Sequence, residues 1–507
     1  MDKNAFRTYA QEHGGRVAVL FLLFLLAMYA FISAGFPAFA AVCCIPLLII
    51  PIIGTFHHRM LVFWTLVIIN YTVSWRHFPI GGLLPTSAYN ELLEIILIVM
   101  VIIDVKGSHF ERLGNIFLFT LLIWCGFCTL EVLNDTCGIG IDPARWYPGA
   151  RQIGYQVMYC FLVFTLYITN PKILNKYLVL WGCLALFAAF WVWKQKYIGL
   201  TDLERAYIYG PGRGTHLLQA GTLIRYFSIY NDAANSGIGT ASTAVAFTIF
   251  GITSKIKKYK YFFLTAGLIN IWAVFPSGTR TAIACLMAGF MAYIFLSKSF
   301  KIAIPFTIIF GFFAFLLVFT NIGNGNQQIR RMRSAFSKGD ASANVRTVNQ
   351  QAMKKYLAEA PWGIGLAVGY KNVPANNKYT FMATVPPDSE YVFIWIHTGV
   401  IGITLFLILT AIMLGGGCWI VFFTLKSPTL RGIGAGLCCA FVSQQLGGYG
   451  NQVLFQFPNC FVFYGGLTIV YILPHIEKEW IEWEEKELAI QEEKKRLKLE
   501  KKLASRV

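Results

Sequence analysis

Apolar stretches long enough to cross a bilayer recur along almost the whole chain, separated by short polar turns. Read by length and periodicity, the pattern predicts fourteen membrane helices. They fall at approximately 17–35, 37–54, 60–75, 88–104, 113–131, 152–169, 176–194, 234–252, 261–276, 281–297, 302–320, 392–424, 432–449 and 457–473. Two segments break the rhythm. Residues 321–391 are a long hydrophilic insertion, in which Val345, Val348, Ala352 and Tyr356 share one helical face and predict a helix over 344–359, stopped by Pro361. Residues 474–507 are highly charged, with Trp480, Trp483, Ile490 and Leu497 spaced as one stripe of an amphipathic helix. The expectation is an all-α polytopic membrane protein: a transmembrane domain over 1–473, a large loop over 321–391 within it, and a charged cytoplasmic helix over 474–507.

Composition removes the competing classes. Of the 507 residues 56% are apolar and 13% charged, about half the charge a soluble domain carries, so disordered, fibrous and secreted disulfide-rich classes are excluded. The first apolar run has no small-residue cleavage signal and is followed by further spans, so it is expected to stay attached. Most of the twelve cysteines sit inside apolar runs, where thiols behave as small hydrophobes. The Cys125-x-x-Cys128 pair lies in a predicted span, the wrong setting for a zinc or redox site. No metal, cofactor or nucleic-acid partner is expected.

Charge adds direction. The net charge of +18 divides by residue type. Lysine-bearing turns such as Lys106–Arg112, Lys172–Lys176, Lys255–Lys260, Lys298–Lys301 and Lys426–Arg431 alternate along the chain and mark the cytoplasmic side. The opposite side then receives eleven of the eighteen arginines: Arg76, Arg145, Arg151, Arg205, Arg213, Arg225, Arg280, Arg330, Arg331, Arg333 and Arg346. Topology signals alone would draw both residue types inward. A planar guanidinium that offers a bidentate fork to phosphate gives arginine a reason to stay outside.

Three external constellations could carry chemistry. Ser277-Gly278-Thr279-Arg280 forms a hairpin between two spans, where small hydroxyl residues, a helix N-terminus and a cation make a phosphate seat. The segment Arg225 to Gly237 opens a span with Asn231, Asp232 and Asn235, of which Asp232 can cap the helix and Asn235 can reach sugar hydroxyls. The long insertion begins with Arg330-Arg331-Met332-Arg333, contains Arg346, and ends in Asp388-Ser389-Glu390-Tyr391 with His397 seven residues beyond Glu390. Asp388 or Glu390 could serve as general base beside an arginine-bound anion, although a nearby arginine lowers the basicity of either.

In their order these motifs resemble the O-antigen ligase and polymerase family of bacterial envelope glycosyltransferases. The resemblance spans about 225–402. It rests on Arg225 with Asn231 to Asn235, the Ser277–Arg280 hairpin, Arg346, the Pro361-Trp362-Gly363-Ile364-Gly365 turn, Tyr391, and Gly399-Val400-Ile401-Gly402. The chain departs from the family pattern at Asp388-Ser389, where members most often carry His-Asn, and at His397, where they often carry Glu. The resemblance implies a GT-C-like fold in the inner membrane that acts at the periplasmic face on undecaprenyl-pyrophosphate-linked glycan. Arg225, Arg280, Arg346, Arg330, Arg331 and Arg333 would hold the pyrophosphate, with Arg280 and Asp388 or Glu390 in the reaction itself. Asn235, Asp232, Tyr391 and His397 would contact sugar or acceptor. A polysaccharide polymerase is the first expectation, with polysaccharide assembly proteins as partners. A ligase that uses lipid A-core as acceptor is the second, and a lipid-linked oligosaccharide flippase is the competitor from another class.

Overall fold

Helices make up the described chain almost throughout in the computed structural model, which describes 59–78, 86–103, 109–210, 217–219, 223–297, 341–369, 373–384 and 388–504, with scattered residues before 29 and between 304 and 333. The expected spans at 17–35 and 37–54, and most of 302–320, lie outside the described residues. The helices that concern the site are α1 (Arg59–Thr72), α2 (Thr86–Ile103), α3 (Ile116–Leu130), α4 (Pro143–Ala150), α5 (Gln156–Tyr167), α6 (Pro171–Tyr197), α7 (Asp202–Tyr209), α8 (Ala233–Thr253), α9 (Lys257–Val274), α10 (Arg280–Leu296), α11 (Ala341–Leu357), α12 (Glu390–Trp419), α13 (Pro428–Gly450) and α14 (Asn459–Ala504). A two-residue antiparallel ladder, β1 (Leu218–Gln219) with β2 (Leu223–Ile224), interrupts them. The chain divides into two compact units, Met1–Thr65 and Leu66–Val507, and the larger one holds every side chain of the site.

Five described stretches are long and apolar enough to cross a membrane: Ile116–Leu133, Pro171–Tyr197, Ala233–Thr253, Glu390–Thr424 and Asn459–Leu497. Arg59–Thr72 and Arg280–Leu296 are apolar but shorter. The fold is that of an all-α membrane protein.

At its centre is α8. From Ala233 to Gly251 all but one of its residues are buried, and the run is rich in Ala, Gly, Ser and Thr. Without a hydrophobic drive between helices in lipid, close backbone approach over small residues is what holds a bundle together. The structure uses that device repeatedly. A side chain on Gly237 would strike Ser277, one on Gly239 would strike Asn459, and one on Gly447 of α13 would strike Ile238. The hydroxyls of Ser242 and Ser443 bond across α8 and α13 at 3.0 Å. Farther along α8, Phe247 and Phe250 pack with Trp181 and Phe263.

Among the described residues, the lysine-bearing turns at 255–257 and 426–427 lie against α14 at one end of the bundle. Glu477 accepts from the Lys426 and Ser427 N–H groups at 2.7 Å each, Lys255 pairs with the buried Glu484 at 3.1 Å, and Gln491 accepts from Lys257 N at 3.1 Å. Arg112 donates to the Thr169 carbonyl at 3.1 Å beyond the end of α5, and Glu479 lies close enough to act on its charge. The compositional boundary at Pro474 is not a structural one, because α14 runs through it as a single helix. The expected stripe on this helix is only partly engaged: Trp480 is buried, whereas Ile490 and Leu497 are exposed.

The long insertion folds onto a small apolar core of its own. Met353, Leu357, Ala360, Ile364, Tyr379 and Met382 pack with Val392 and Ile396 of α12 and with Cys137. The helix expected at 344–359 is α11, but its buried face differs from the expected one. Val348 is 63% exposed and Met353 is 2% exposed, because the partner surface is offered by α12 at the C-terminal end of α11.

Candidate active site

At the end of the bundle opposite those basic turns, two helix N-termini meet. Asp232 caps α8, accepting from Asn235 N at 2.7 Å, as its place before the span suggested. Gly278 has φ 59°, which returns the chain after Ser277 so that Thr279 and Arg280 open α10. The Ser277 hydroxyl donates to Val274 O at 2.7 Å and accepts from Thr279 N at 3.2 Å, which fixes the hairpin internally.

Arg225 ties these two helix starts together. Its Nη2 donates to Thr279 Oγ1 at 3.0 Å and its Nε to the Ser277 carbonyl at 3.4 Å, while Thr279 Oγ1 donates to Ala233 O at 2.9 Å. The backbone beneath is pinned as well, with Tyr226 N on the Pro276 carbonyl at 3.2 Å. Burial pushes the Arg225 guanidinium down from its ordinary value; Asp232 pulls it back up and Arg280 pushes it down again. These opposing effects place Asp232 and Arg280 within electrostatic reach of Arg225. The guanidinium stays protonated at any accessible pH. Two half-buried arginines beside two helix N-termini, with one carboxylate among them, form a site for an anion.

A second junction lies along α12. Gly399 interrupts the helix with φ 65° and ψ −168°. The Pro361–Gly365 turn fills the break: Ile364 N donates to Ile396 O at 2.9 Å, Gly365 N to His397 O at 3.0 Å, and Ile401 N to Pro361 O at 3.2 Å. His397 Nδ1 lies 3.0 Å from the Gly365 carbonyl, so one ring nitrogen is engaged by this turn. The two glycine-bearing motifs are therefore two sides of one backbone crossing.

Residues 263–407 match the Wzy_C family model, described as O-antigen ligase. Over these residues the chain is similar to O-antigen ligase. The matched segment takes in Arg280, the insertion and the α12 break, while Arg225, Asp232 and Asn235 lie before its first residue. No curated protein matches the chain.

Within the matched segment the other candidates are distributed unevenly. Glu390 is 1% exposed, and its carboxylate accepts from Leu454 N at 3.0 Å, with Val453 and Phe455 N–H also on it, so it holds the turn after α13. Ser389 Oγ donates to the Gly448 carbonyl at 3.0 Å, and the Tyr391 hydroxyl lies 2.9 Å from both the Gln445 carbonyl and Oε1. Asp388, directly before them, is exposed. Arg333 turns to its own segment, donating to the Ile322 carbonyl at 3.0 Å and to Asn324 Oδ1. Arg330 is exposed; Arg331 and the side chain of Arg346 lie outside the described residues. The structure thus brings Arg225, Asp232 and Arg280 together, and it engages Arg333 with the turn at 322–324.

Asn235, the expected sugar contact, is fully buried. Its Nδ2 donates to Phe457 O at 3.0 Å and Gln456 Oε1 at 3.2 Å, and Asn459 donates to both its carbonyl oxygens. It clamps α8 to the 456–459 turn.

The support behind Arg225 comes from residues that sequence reasoning passed over. Ser228 holds φ 56°, a conformation that costs a non-glycine residue energy and needs reinforcement. Gln195 supplies it, accepting from Ser228 N at 2.9 Å and donating to Ser228 O at 3.2 Å, while Ser228 Oγ donates to Ala188 O at 2.6 Å. Gln195 also donates to Glu204 Oε1 at 2.8 Å. Glu204 further accepts from Trp191 Nε1 at 2.7 Å and Thr201 N at 2.8 Å, and pairs with Lys194 at 3.3 Å. Burial raises the pKa of Glu204, but the bonds from Gln195, Thr201 and Trp191, with Lys194, outweigh it and hold the carboxyl below its ordinary value. A depressed folded-state pKa contributes stability that is present above the unfolded value and lost as pH falls through the folded one. Thermal unfolding midpoints measured from neutral pH to below pH ~4 are expected to fall for the native protein. Glu204→Gln should be less stable at neutral pH and flatter on the acid side; parallel curves would rule the contribution out. The Thr201-x-x-Glu204 capping box is the sequence signal that could have located this network.

Proposed function

We propose that the protein is a membrane glycosyltransferase that moves an undecaprenyl-pyrophosphate-linked glycan onto a sugar hydroxyl at the periplasmic face of the inner membrane. The observation that carries the reading is the Arg225–Asp232–Arg280 cluster between two helix N-termini, with Arg280 inside the segment similar to O-antigen ligase. The acceptor oxygen attacks the anomeric carbon, the bond from that carbon to the pyrophosphate oxygen breaks, and the lipid pyrophosphate leaves with the electron pair. Charge building on the departing oxygen is the demanding part of this reaction. Preorganised cations and helix N-termini in a poorly solvated site stabilise it. Arg225 and Arg280 fill that role, and Arg346, Arg330 and Arg331 are assigned to close over the diphosphate from the insertion. These cations supply the neutralising charge that a metal provides elsewhere. The acceptor proton goes to Asp388, which is exposed beside the start of α12. Glu390 is the weaker choice because backbone N–H groups already occupy its carboxylate.

A GT-C-like architecture with fourteen spans accommodates this reading, with the lysine turns around α14 on the cytoplasmic side. The favoured acceptor is a second lipid-linked repeat, which makes the protein a polysaccharide polymerase, because Asp388-Ser389 departs from the ligase pattern. The family match to O-antigen ligase supports the second reading, with lipid A-core as acceptor. A flippase is disfavoured, since its site would be expected between two symmetric halves. A deletion strain separates these. Core capped by a single repeat is the expected result for a polymerase; uncapped core with long lipid-linked chains would assign the ligase. An unchanged polysaccharide profile would overturn glycan transfer altogether.

A further inference from the structure

A cleft of about 370 Å³ opens where the turn after α3 meets the Pro361–Gly365 turn. Its polar wall comes from Glu131, Asn134, Asp135 and Thr136, and its aromatic wall from Trp362. Trp362 is 48% exposed. One of its faces is backed by Phe127, with ring centroids 5.9 Å apart and planes within 12° of parallel. A large aromatic ring supported on one side and open on the other is a platform, and its position is rigid. Asn134 Nδ2 donates to the Trp362 carbonyl at 2.9 Å and to Glu131 Oε2 at 2.8 Å, while Asn134 Oδ1 accepts from Thr136 N at 3.1 Å and Thr136 Oγ1 at 2.7 Å. Every hydrogen-bonding position of that amide is used, so it fixes the carboxylate and the ring relative to one another.

Glu131 is the unusual member. It is 3% exposed at the end of an apolar helix, where an ionisable group is costly without a function or partners. Among the described residues its hydrogen-bond donor is Asn134. A carboxylate accepts about four such bonds, and Glu131 is part of the cleft lining. Asp135 adds a second, exposed carboxylate at the rim.

We propose that this cleft is a pyranose-binding subsite, in which Trp362 stacks on the apolar face of a sugar ring while Glu131 and Asp135 accept hydrogen bonds from its hydroxyls. An aromatic platform beside a few fixed acceptors suits a ring that is apolar on its faces and hydroxylated at its edge. Neither carboxylate would favour an anion, which sets this cleft apart from the arginine cluster. The subsite deepens the glycan-transfer reading and rests on it for the identity of the glycan, not for the binding itself.

The probe is the oligosaccharide released by mild acid from the surface polysaccharide of the producing bacterium, titrated into the full chain in lipid nanodiscs and followed by saturation-transfer NMR. Trp362→Ala is expected to raise Kd about tenfold, Trp362→Phe to raise it less, and Glu131→Gln to raise it severalfold. Arg280→Ala should bind the free oligosaccharide as the native protein does. Thermal midpoints accompany each variant. If Trp362→Ala loses its fold, Trp362→Phe and Asp135→Ala decide. Native-like binding in correctly folded Trp362 and Asp135 variants, or no binding by the native chain, overturns the subsite. Failure of glycan transfer reads differently: the Kd shifts persist while Arg280→Ala leaves the cellular polysaccharide unchanged.

Discussion

Arg280→Ala is expected to lower glycan transfer by at least about 100-fold, the scale seen when one preorganised donor to a developing negative charge is removed. That is a loss of about 3 kcal/mol of transition-state stabilisation. In cells the result is the disappearance of high-molecular-weight glycan with protein abundance unchanged. Arg280→Lys should fall between the two, since it keeps the charge but loses the planar fork. Arg225 gives a different signature. Its guanidinium also joins the 277–279 hairpin to the start of α8, so Arg225→Ala should cost both activity and thermal stability. Normal glycan ladders in both alanine variants would remove the pyrophosphate site. A loss confined to Arg225→Ala would reduce the cluster to a structural tie.

The second large effect is expected at a residue that touches no substrate. Gly399 combines φ 65° with ψ −168°, a region essentially closed to residues with a side chain. A Cβ there would also fall onto the Pro361 carbonyl, and one on Gly363 would fall onto Gly399 N. Both obstacles are backbone atoms, which cannot rotate aside. Gly399→Ala should therefore destabilise the protein by at least ~2 kcal/mol. Displacement of the Trp362 turn from α12 should abolish glycan transfer. Ala substitution at Gly415, where nothing lies within 4 Å of the added carbon, is the control and should be close to neutral. Thermal unfolding of the purified variants measures the difference, and equal midpoints would show that the crossing tolerates a side chain.

Much of the helical framework was legible from hydropathy alone. Helices α1, α2, α3, α8, α10 and α13 begin and end within a few residues of the expected spans. Asp232 could be named as a cap because the preference is local: a short side-chain acceptor immediately before a helical run. The segment between α6 and α8 was less readable. The chain there builds a small ladder and α7, the latter held by contacts with α6 that no local pattern encodes. Glu131 was missed although an acid ends an apolar run there, because the signal acquires meaning only when Trp362, more than two hundred positions later, lines the same cleft.

The sequence by itself determined the membrane class, the positions of most described helices and the identity of the arginines worth testing. Each depends on composition or on neighbours a few residues apart. Only the tertiary structure decided which polar residues remain available. Asn235 and Glu390 have the chemistry of ligands, yet both are committed to backbone partners at 453–459. Arg225 and Arg280, 55 positions apart in the chain, share one site because small residues let α8 approach the Ser277–Arg280 hairpin closely. A buried polar group must be satisfied by some partner, and no single sequence states which distant partner reaches it first.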